Sequence, residues 1–162
     1  MSGTEDLPKS DTTLLEGWDH PGPFVTPFDV EDADIDAFGH VNNAVYVRWI
    51  NDGAWAHSRS LGLDFARYRE LDAGVIVVRH EIDYKSSAMP GETALVATWI
   101  SANDGRVRLS RRFQIRDAAS GRTLVRARTQ FAVIALSSGR PRRMPKEFVD
   151  GYPVMWPADA DA

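Results

Sequence analysis

The chain has 162 residues, 43% of them hydrophobic and 26% charged, and a formal net charge of -4. That size and composition fit one soluble globular domain and exclude a disordered or fibrous chain. With no cysteine present, a disulfide framework, a thiolate nucleophile and a Cys-ligated zinc or iron–sulfur site are excluded too.

The first stretch, MSGTEDLPKSDTTLLEGWDHPG, is polar, interrupted by proline and glycine, and has no sustained period. Residues 1–22 are therefore expected to form a flexible or loosely docked arm ahead of a domain at 23–148. It lacks the apolar run of a signal peptide, and no later stretch approaches the roughly 20 apolar residues that span a bilayer. A cytoplasmic location with no membrane partner is the expectation.

Phe24 to Val30 reads as a first strand. Gly39-His40-Val41-Asn42-Asn43 then offers a turn glycine and two asparagine helix caps, which predicts a helix from about Ala44 to Ser60 that stops near Gly62. Val47, Ile50, Ala54 and His57 or Leu61 form one stripe, widened by Tyr46, Trp49 and Trp55. Such aromatic content exceeds what a solvent-facing helix needs, so a sheet is expected to wrap it.

Phe65 to Asp72 reads as a short second helical piece. Four strands are predicted beyond it: Val75 to Tyr84, Thr93 to Ser101, Arg106 to Arg116 and Thr123 to Ala135. Pro90-Gly91, Asn103-Asp104-Gly105 and Ser120-Gly121 mark the three breaks between them. Links this short predict an antiparallel meander. In the third of these strands Val107, Leu109, Phe113 and Ile115 share a face that Arg111 interrupts, with Arg106, Arg108, Arg112 and Arg116 opposite. Both faces of the last strand are partly apolar, so a homo-oligomer, dimer or dimer of dimers, is expected to cover the surplus. Pro141, Pro145 and Pro153 disfavour a long final helix and predict an irregular tail at 149–162.

Acids crowd Asp29 to Asp36, and basic residues crowd Arg106 to Arg128 and Arg140 to Lys146. A basic patch on an acidic chain suits a phosphorylated small molecule. Because the arginines alternate with apolar residues along strands and the overall charge is negative, no nucleic-acid partner is expected.

The chemistry is concentrated in Asp34-Ile35-Asp36-Ala37-Phe38-Gly39-His40-Val41-Asn42-Asn43-Ala44-Val45-Tyr46. Two carboxylates, a histidine and two asparagines stand directly before a helix start. First-turn N–H groups lack intrahelical acceptors, so an anion or developing oxyanion is stabilised at such a place. By itself, Asp36 could equally be a loop or cap carboxylate. His40 could orient substrate or water, fix the turn, or join Asp34 and Asp36 on a metal. With no cysteine or well-spaced second histidine in support, no metal site is expected.

The pattern D-x-D-x-x-G-H-V-N-N-x-x-Y resembles the signature of the hotdog thioesterases of the 4-hydroxybenzoyl-CoA thioesterase type, with their bacterial acyl-CoA and plant acyl-carrier-protein thioesterase relatives. Glu81-Ile82-Asp83-Tyr84 with Pro90-Gly91-Glu92, and Met144-Pro145, are similar to later features of that family. The resemblance covers about residues 24–148. It implies an α+β hotdog fold, an antiparallel sheet around a long central helix, and hydrolysis of an acyl-CoA thioester to free acid and coenzyme A. Acyl carrier protein is an alternative carrier, and no cofactor is implied beyond the coenzyme A of the substrate.

Carried over by position, the family's catalytic carboxylate falls on Asp36 and its main-chain oxyanion donor near Asn43. His40 matches a histidine the plant enzymes are thought to use. Gly39, Val41, Asn42 and Tyr46 are the expected substrate-binding neighbours, and Arg140, Arg142, Arg143 and Lys146 could meet the coenzyme A phosphates. Two departures stand out. Phe38 replaces an asparagine of the plant enzymes, and the place of a second helical acid holds Asn51 and Asp52. A hotdog dehydratase or hydratase, or a non-catalytic acyl-thioester binding protein, are the alternative readings.

Overall fold

The Asn42 side chain accepts the Ala44 N–H at 2.9 Å and so caps α1 (Asn43–Ser60), the longest helix among the described residues. The computed structural model describes residues 16–161; residues 1–15 of the expected arm and Ala162 lie outside the described residues. Around α1 the chain places β1 (Phe24–Asp29), α2 (Phe65–Leu71), β2 (Gly74–Tyr84), β3 (Thr93–Asn103), β4 (Arg108–Asp117), β5 (Thr123–Ile134) and α3 (Lys146–Gly151), with short 3-10 turns at Asp32–Asp34 and Ala158–Asp161. Among the described residues no helix is long and apolar enough to cross a membrane.

The five strands form one antiparallel sheet in the order β1-β3-β4-β5-β2. Packed against α1, this is the hotdog arrangement that the resemblance implies. The predicted meander holds only for β3, β4 and β5. β2 does not neighbour β3; it pairs along β5 from Gly74↔Ile134 to Tyr84↔Val125. Turn residues mark where a strand stops but not which neighbour the next one finds, and the link after β2 crosses the end of the sheet.

Val45, Tyr46, Trp49 and Ile50 of α1 pack on Val96, Phe113, Ile115, Val125 and Ala127 from the inner sheet face. Burial of each large apolar side chain contributes roughly 2 kcal/mol before entropy is charged against it. A Cβ on Gly53 would stand 3.0 Å from Val96 Cγ1, so this glycine lets α1 approach β3 closely. A second cluster at the carboxyl end of α1 unites Leu63, Tyr68, Leu109, Phe131, Phe148 and Tyr152.

One expectation about the sheet faces is corrected. β4 begins at Arg108, so Val107 lies outside the strand and is 37% exposed. Over Trp99 of β3 the outer face is covered by aromatic residues from near both ends of the chain. Trp99 meets Trp18 edge-on at 6.4 Å and Trp156 at 5.0 Å, and His20 stacks on Trp156 at 4.9 Å. Asp19 pairs with Arg126 at 2.5 Å. The described part of the arm is thus docked through single aromatic and charged anchors, which leave no periodic trace in a polar sequence.

The two sheet edges differ. β1 has six residues and carries Pro27, which blunts it. β2 has eleven and no proline, and its Ile76, Val77 and Val78 are 42–50% exposed.

Candidate active site

The segment from Asp34 to Val45 folds back on itself ahead of α1. Ile35 and Val41 form an antiparallel bridge. The Asp36 N–H donates to the His40 carbonyl at 3.0 Å, and the Gly39 N–H donates to the Asp36 carbonyl at 3.0 Å. Gly39 has φ +81, a conformation that a residue with a Cβ adopts only under strain, which explains glycine at this place.

That turn orients the Asp36 carboxylate. Its Oδ1 accepts the Phe38 N–H at 2.9 Å, and its Oδ2 lies 3.5 Å from Asn42 Nδ2. The side chain remains partly exposed. Asn42 therefore faces both ways, capping α1 with Oδ1 and turning its amide nitrogen to Asp36.

The amides at the helix start divide sharply. Val41 N–H donates to Ala88 O, Asn42 N–H to Asp34 O, Ala44 N–H to Asn42 Oδ1 and Val45 N–H to Asn42 O, at 2.9–3.0 Å. The Asn43 N–H donates to none of the described residues. On the carbonyl side of Asn43, the Tyr84 hydroxyl donates at 3.0 Å and ties β2 to the helix start. One exposed, unclaimed donor at the positive end of an 18-residue helix is a place for an oxyanion.

Asp34 is spent on structure. Its Oδ2 accepts the Glu31 N–H at 3.0 Å and its Oδ1 meets Arg48 Nη2 at 2.7 Å. Burial alone would raise its pKa, but the Glu31 amide and the Arg48 guanidinium together hold it below the ordinary carboxylate value. Arg48, fourteen residues away, had no signal in the sequence beyond its place on the first turns of α1.

The remaining expected residues fall in different places. His40 is half-buried, its ring 6.4 Å from that of Phe38, which is 84% exposed at the tip of the turn. Val41 is buried. Tyr46 is 2% exposed and its hydroxyl accepts the Ala88 N–H at 2.8 Å, which makes it a core brace between helix and loop. Arg140, Arg142, Arg143 and Lys146 follow the Ile134 end of β5, whereas the Asp36 turn sits by Tyr84 and Ala88 at the other end. At about 3.3 Å per residue, the two ends are roughly 30 Å apart. Arg142 caps the end of α2, with Nη1 donating to Leu71 O at 2.9 Å and Asp72 O at 3.0 Å.

Two groups that sequence reasoning missed border the turn. The Ala88 backbone holds both Val41 and Tyr46, and Arg122 holds Ala88's loop in place through Glu92 at 2.7 Å and Ser87 O at 2.9 Å. Neither residue type marks itself in a linear pattern.

Comparison with known proteins bears on the family and the fold. The family description "Thioesterase-like superfamily" matches residues 30–151. A chloroplastic acyl-[acyl-carrier-protein] hydrolase from Cuphea viscosissima is 32% identical over 113 residues, 61% of this chain and 27% of that protein. The chain thus spans about a quarter of the length of that plant relative. A 1,4-dihydroxy-2-naphthoyl-CoA thioesterase from Synechocystis superposes with a TM-score of 0.72 at 23% identity, covering 81% of this chain and 96% of the other. A Staphylococcus aureus protein solved in complex with CoA gives 0.75 at 18% identity, covering 90% and 96%. At these identities the structures establish the fold, and the family match over three-quarters of the sequence establishes kinship: the chain belongs to the thioesterase-like superfamily.

Proposed function

We propose that this protein hydrolyses an acyl-CoA thioester, with Asp36 as the catalytic carboxylate and the Asn43 amide as oxyanion donor. The observation that carries this reading is an unclaimed helix-start N–H close in sequence to a turn-anchored, partly exposed carboxylate, with Asn42 between them capping Ala44 through Oδ1 and turning Nδ2 to Asp36. A thioester has a good leaving group, so catalysis needs a polarised carbonyl and an attacking oxygen more than protonation of sulfur. The carbonyl oxygen takes the Asn43 N–H. Asp36 attacks the carbonyl carbon itself or removes a proton from water that does. On water attack the C–S bond breaks, a C–O bond to the water oxygen replaces it, and the water proton ends on the departing thiolate or in solvent. On direct attack the thiolate leaves as the acyl group passes to Asp36 as an anhydride, which water then cleaves to the free acid and the restored carboxylate. His40, a turn residue beside Asp36, orients substrate or water, and Gly39, Val41 and Asn42 shape the floor of the site.

The flank of the site at β2 is open, and its apolar edge supports a homodimer in which two β2 strands pair antiparallel. Such pairing brings the Gly74 end of one copy beside the Tyr84 end of the other. It would carry one copy's basic residues Arg140, Arg143 and Lys146 toward the other copy's Asp36, across the gap that separates them within a chain. Coenzyme A is the favoured carrier on that account, with acyl carrier protein as the second.

The test is thiol release from short, medium, long and aromatic acyl-CoA thioesters by the intact protein and by Asp36→Asn. Release that falls about a hundredfold or more in the variant supports the assignment. Equal release by both proteins removes Asp36 from the chemistry. An altered acyl chain with the thioester retained would replace hydrolysis by dehydration or hydration.

A further inference from the structure

Arg111 is the residue that breaks the apolar row of β4. It points inward and is 2% exposed. No carboxylate among the described residues pairs with it. Its Nη1 donates to His57 Nδ1 at 2.8 Å and lies 3.5 Å from Thr98 Oγ1, and its Nη2 donates to Ser58 Oγ at 3.1 Å. The Tyr152 ring lies 5.6 Å from the guanidinium carbon, and the Tyr152 and Tyr68 hydroxyls bond to each other.

Every one of these neighbours is neutral. Burial and the Arg111 charge push His57 down to about 4, so it accepts from Arg111 through Nδ1 without a proton of its own there. Burial, with the adjacent Tyr152, pushes the Tyr68 phenol far above its ordinary value. A desolvated guanidinium held only by neutral acceptors is an energetically unfavourable arrangement, which an anion relieves. Desolvation also lowers the pKa of Arg111 itself.

The guanidinium borders a cavity of about 60 Å³ under α1, whose mouth is formed by Asn51, Trp55, Val75 and Val77. That is the room of about two water molecules, enough for a carboxylate and too small for a ring. The rest of its lining is apolar at Ala54, Leu109 and Phe131 and carries hydroxyls at Ser58, Tyr68 and Tyr152.

We propose that this cavity receives the distal carboxylate of an ω-carboxyacyl thioester, with Arg111 as its counter-ion. This rests on the thioesterase reading and adds the substrate class. Along α1 the lining begins at Asn51, about 12 Å from Asn43. In the antiparallel β2 pairing of two copies, with Gly74 beside Tyr84, Val75 and Val77 instead face the second copy's Asp83 and Glu81, next to the Tyr84 that contacts its Asn43. Either path places the acid at the far end of a chain whose thioester occupies an Asp36 site.

The experiment compares kcat/KM for ω-carboxyacyl-CoA and alkyl acyl-CoA substrates of matched carbon count, from adipyl against hexanoyl up to hexadecanedioyl against palmitoyl. The expected result is a preference of about tenfold or more for the acid-ended substrate at its best length, the worth of one charge-assisted hydrogen-bonded pair. Preference for the alkyl substrate at every length overturns the proposal. In Arg111→Gln, checked for folding by its melting transition, the ratio should approach one; a retained preference overturns it as well. Should Arg111→Gln fail to fold, Val77→Trp closes the partly exposed mouth without touching the guanidinium and should erase the preference. Calorimetric titration of the intact protein with suberate and with the diol of equal length needs no turnover: the diacid should bind about tenfold tighter, and equal binding overturns the anion site. Suberate binding with no thiol released from any thioester would instead strike the hydrolase reading and leave the anion site standing.

Discussion

The Asp34 carboxylate and the Arg48 guanidinium meet at 2.7 Å across the start of α1, the acid 2% exposed and the base 55% exposed. The acid also holds the Glu31 amide, so it locks the strand-to-helix connection from which the Asp36 turn projects. Arg48→Ala leaves a buried carboxylate with one partner fewer, and because the guanidinium is half solvated the expected loss is modest, about 1–2 kcal/mol in urea unfolding. The folded-state pKa of Asp34 is lowered, so its contribution is present above the unfolded value and disappears as pH falls through the folded one. Asp34→Asn should therefore lower stability at neutral pH and weaken the dependence on acid, while reducing thiol release far less than Asp36→Asn.

His57 makes the opposite kind of acid-sensitive contact. It is 4% exposed and faces Arg111, and burial followed by that charge sets its pKa at about 4 against an ordinary 6.5. Between those values the unfolded chain binds a proton that the folded chain does not, so stability falls as pH drops from 6.5 toward 4. The full span is worth roughly 3 kcal/mol. His80, exposed on β2 but bonded to Thr129 at 2.8 Å and lowered by partial desolvation, adds weakly in the same direction. Urea unfolding followed from neutral pH down to the mildly acidic range should show this slope, and His57→Gln should remove most of it. A slope unchanged in the variant would mean that the imidazole is not held neutral by its surroundings.

β2 supplies the predicted dimer contact because it is the longer edge, lacks proline and exposes three successive apolar residues. A charge at the most exposed of them, Val78, should prevent edge pairing at little cost to the monomer, since the residue sits at the register shift between Val77 and Arg79. Sedimentation of intact protein as a dimer and of Val78→Asp as a monomer is the expected pair of results. A monomeric intact protein would show that β2 is left unpaired.

Much of this was legible in the linear pattern, for identifiable reasons. The helix from Asn43 to Ser60 announced itself through Asn42 and its aromatic stripe, and the strand limits through Gly91, Gly105 and Gly121. These are local signals, carried by caps, turns and period. The pairing of β2 with β5 was not local and was misread as part of a meander. Trp156 and Trp18 gave no clue that they cover Trp99, because one aromatic per segment has no period. Arg111 was visible as a break in an alternating row, but only the fold shows it surrounded by His57, Ser58 and Thr98 with no acid beside it.

The basic loop separates two roles that its sequence presents as one. Arg142 donates to the Leu71 and Asp72 carbonyls, and Asp72 in turn accepts Ser137 N–H at 2.8 Å and its hydroxyl at 2.7 Å. Those contacts close the end of α2 against the end of β5, so Arg142→Ala should cost about 1–2 kcal/mol of stability and leave the salt dependence of substrate binding alone. Arg140 and Arg143 are exposed, and Lys146 is 87% exposed with only a loose 3.8 Å contact to Asp150. A point charge so well solvated acts through long-range attraction, which salt weakens within about 10 Å at ordinary ionic strength. Replacing these three by alanine should raise KM for a coenzyme A thioester several-fold at low salt, with kcat nearly preserved and the difference shrinking as salt is added. Because the loop lies at the opposite end of the sheet from its own Asp36, the same KM increase should appear when Val78→Asp separates the copies, and the triple replacement should then add little to it. Additive effects of the two changes would mean that the loop does not reach the second copy's site.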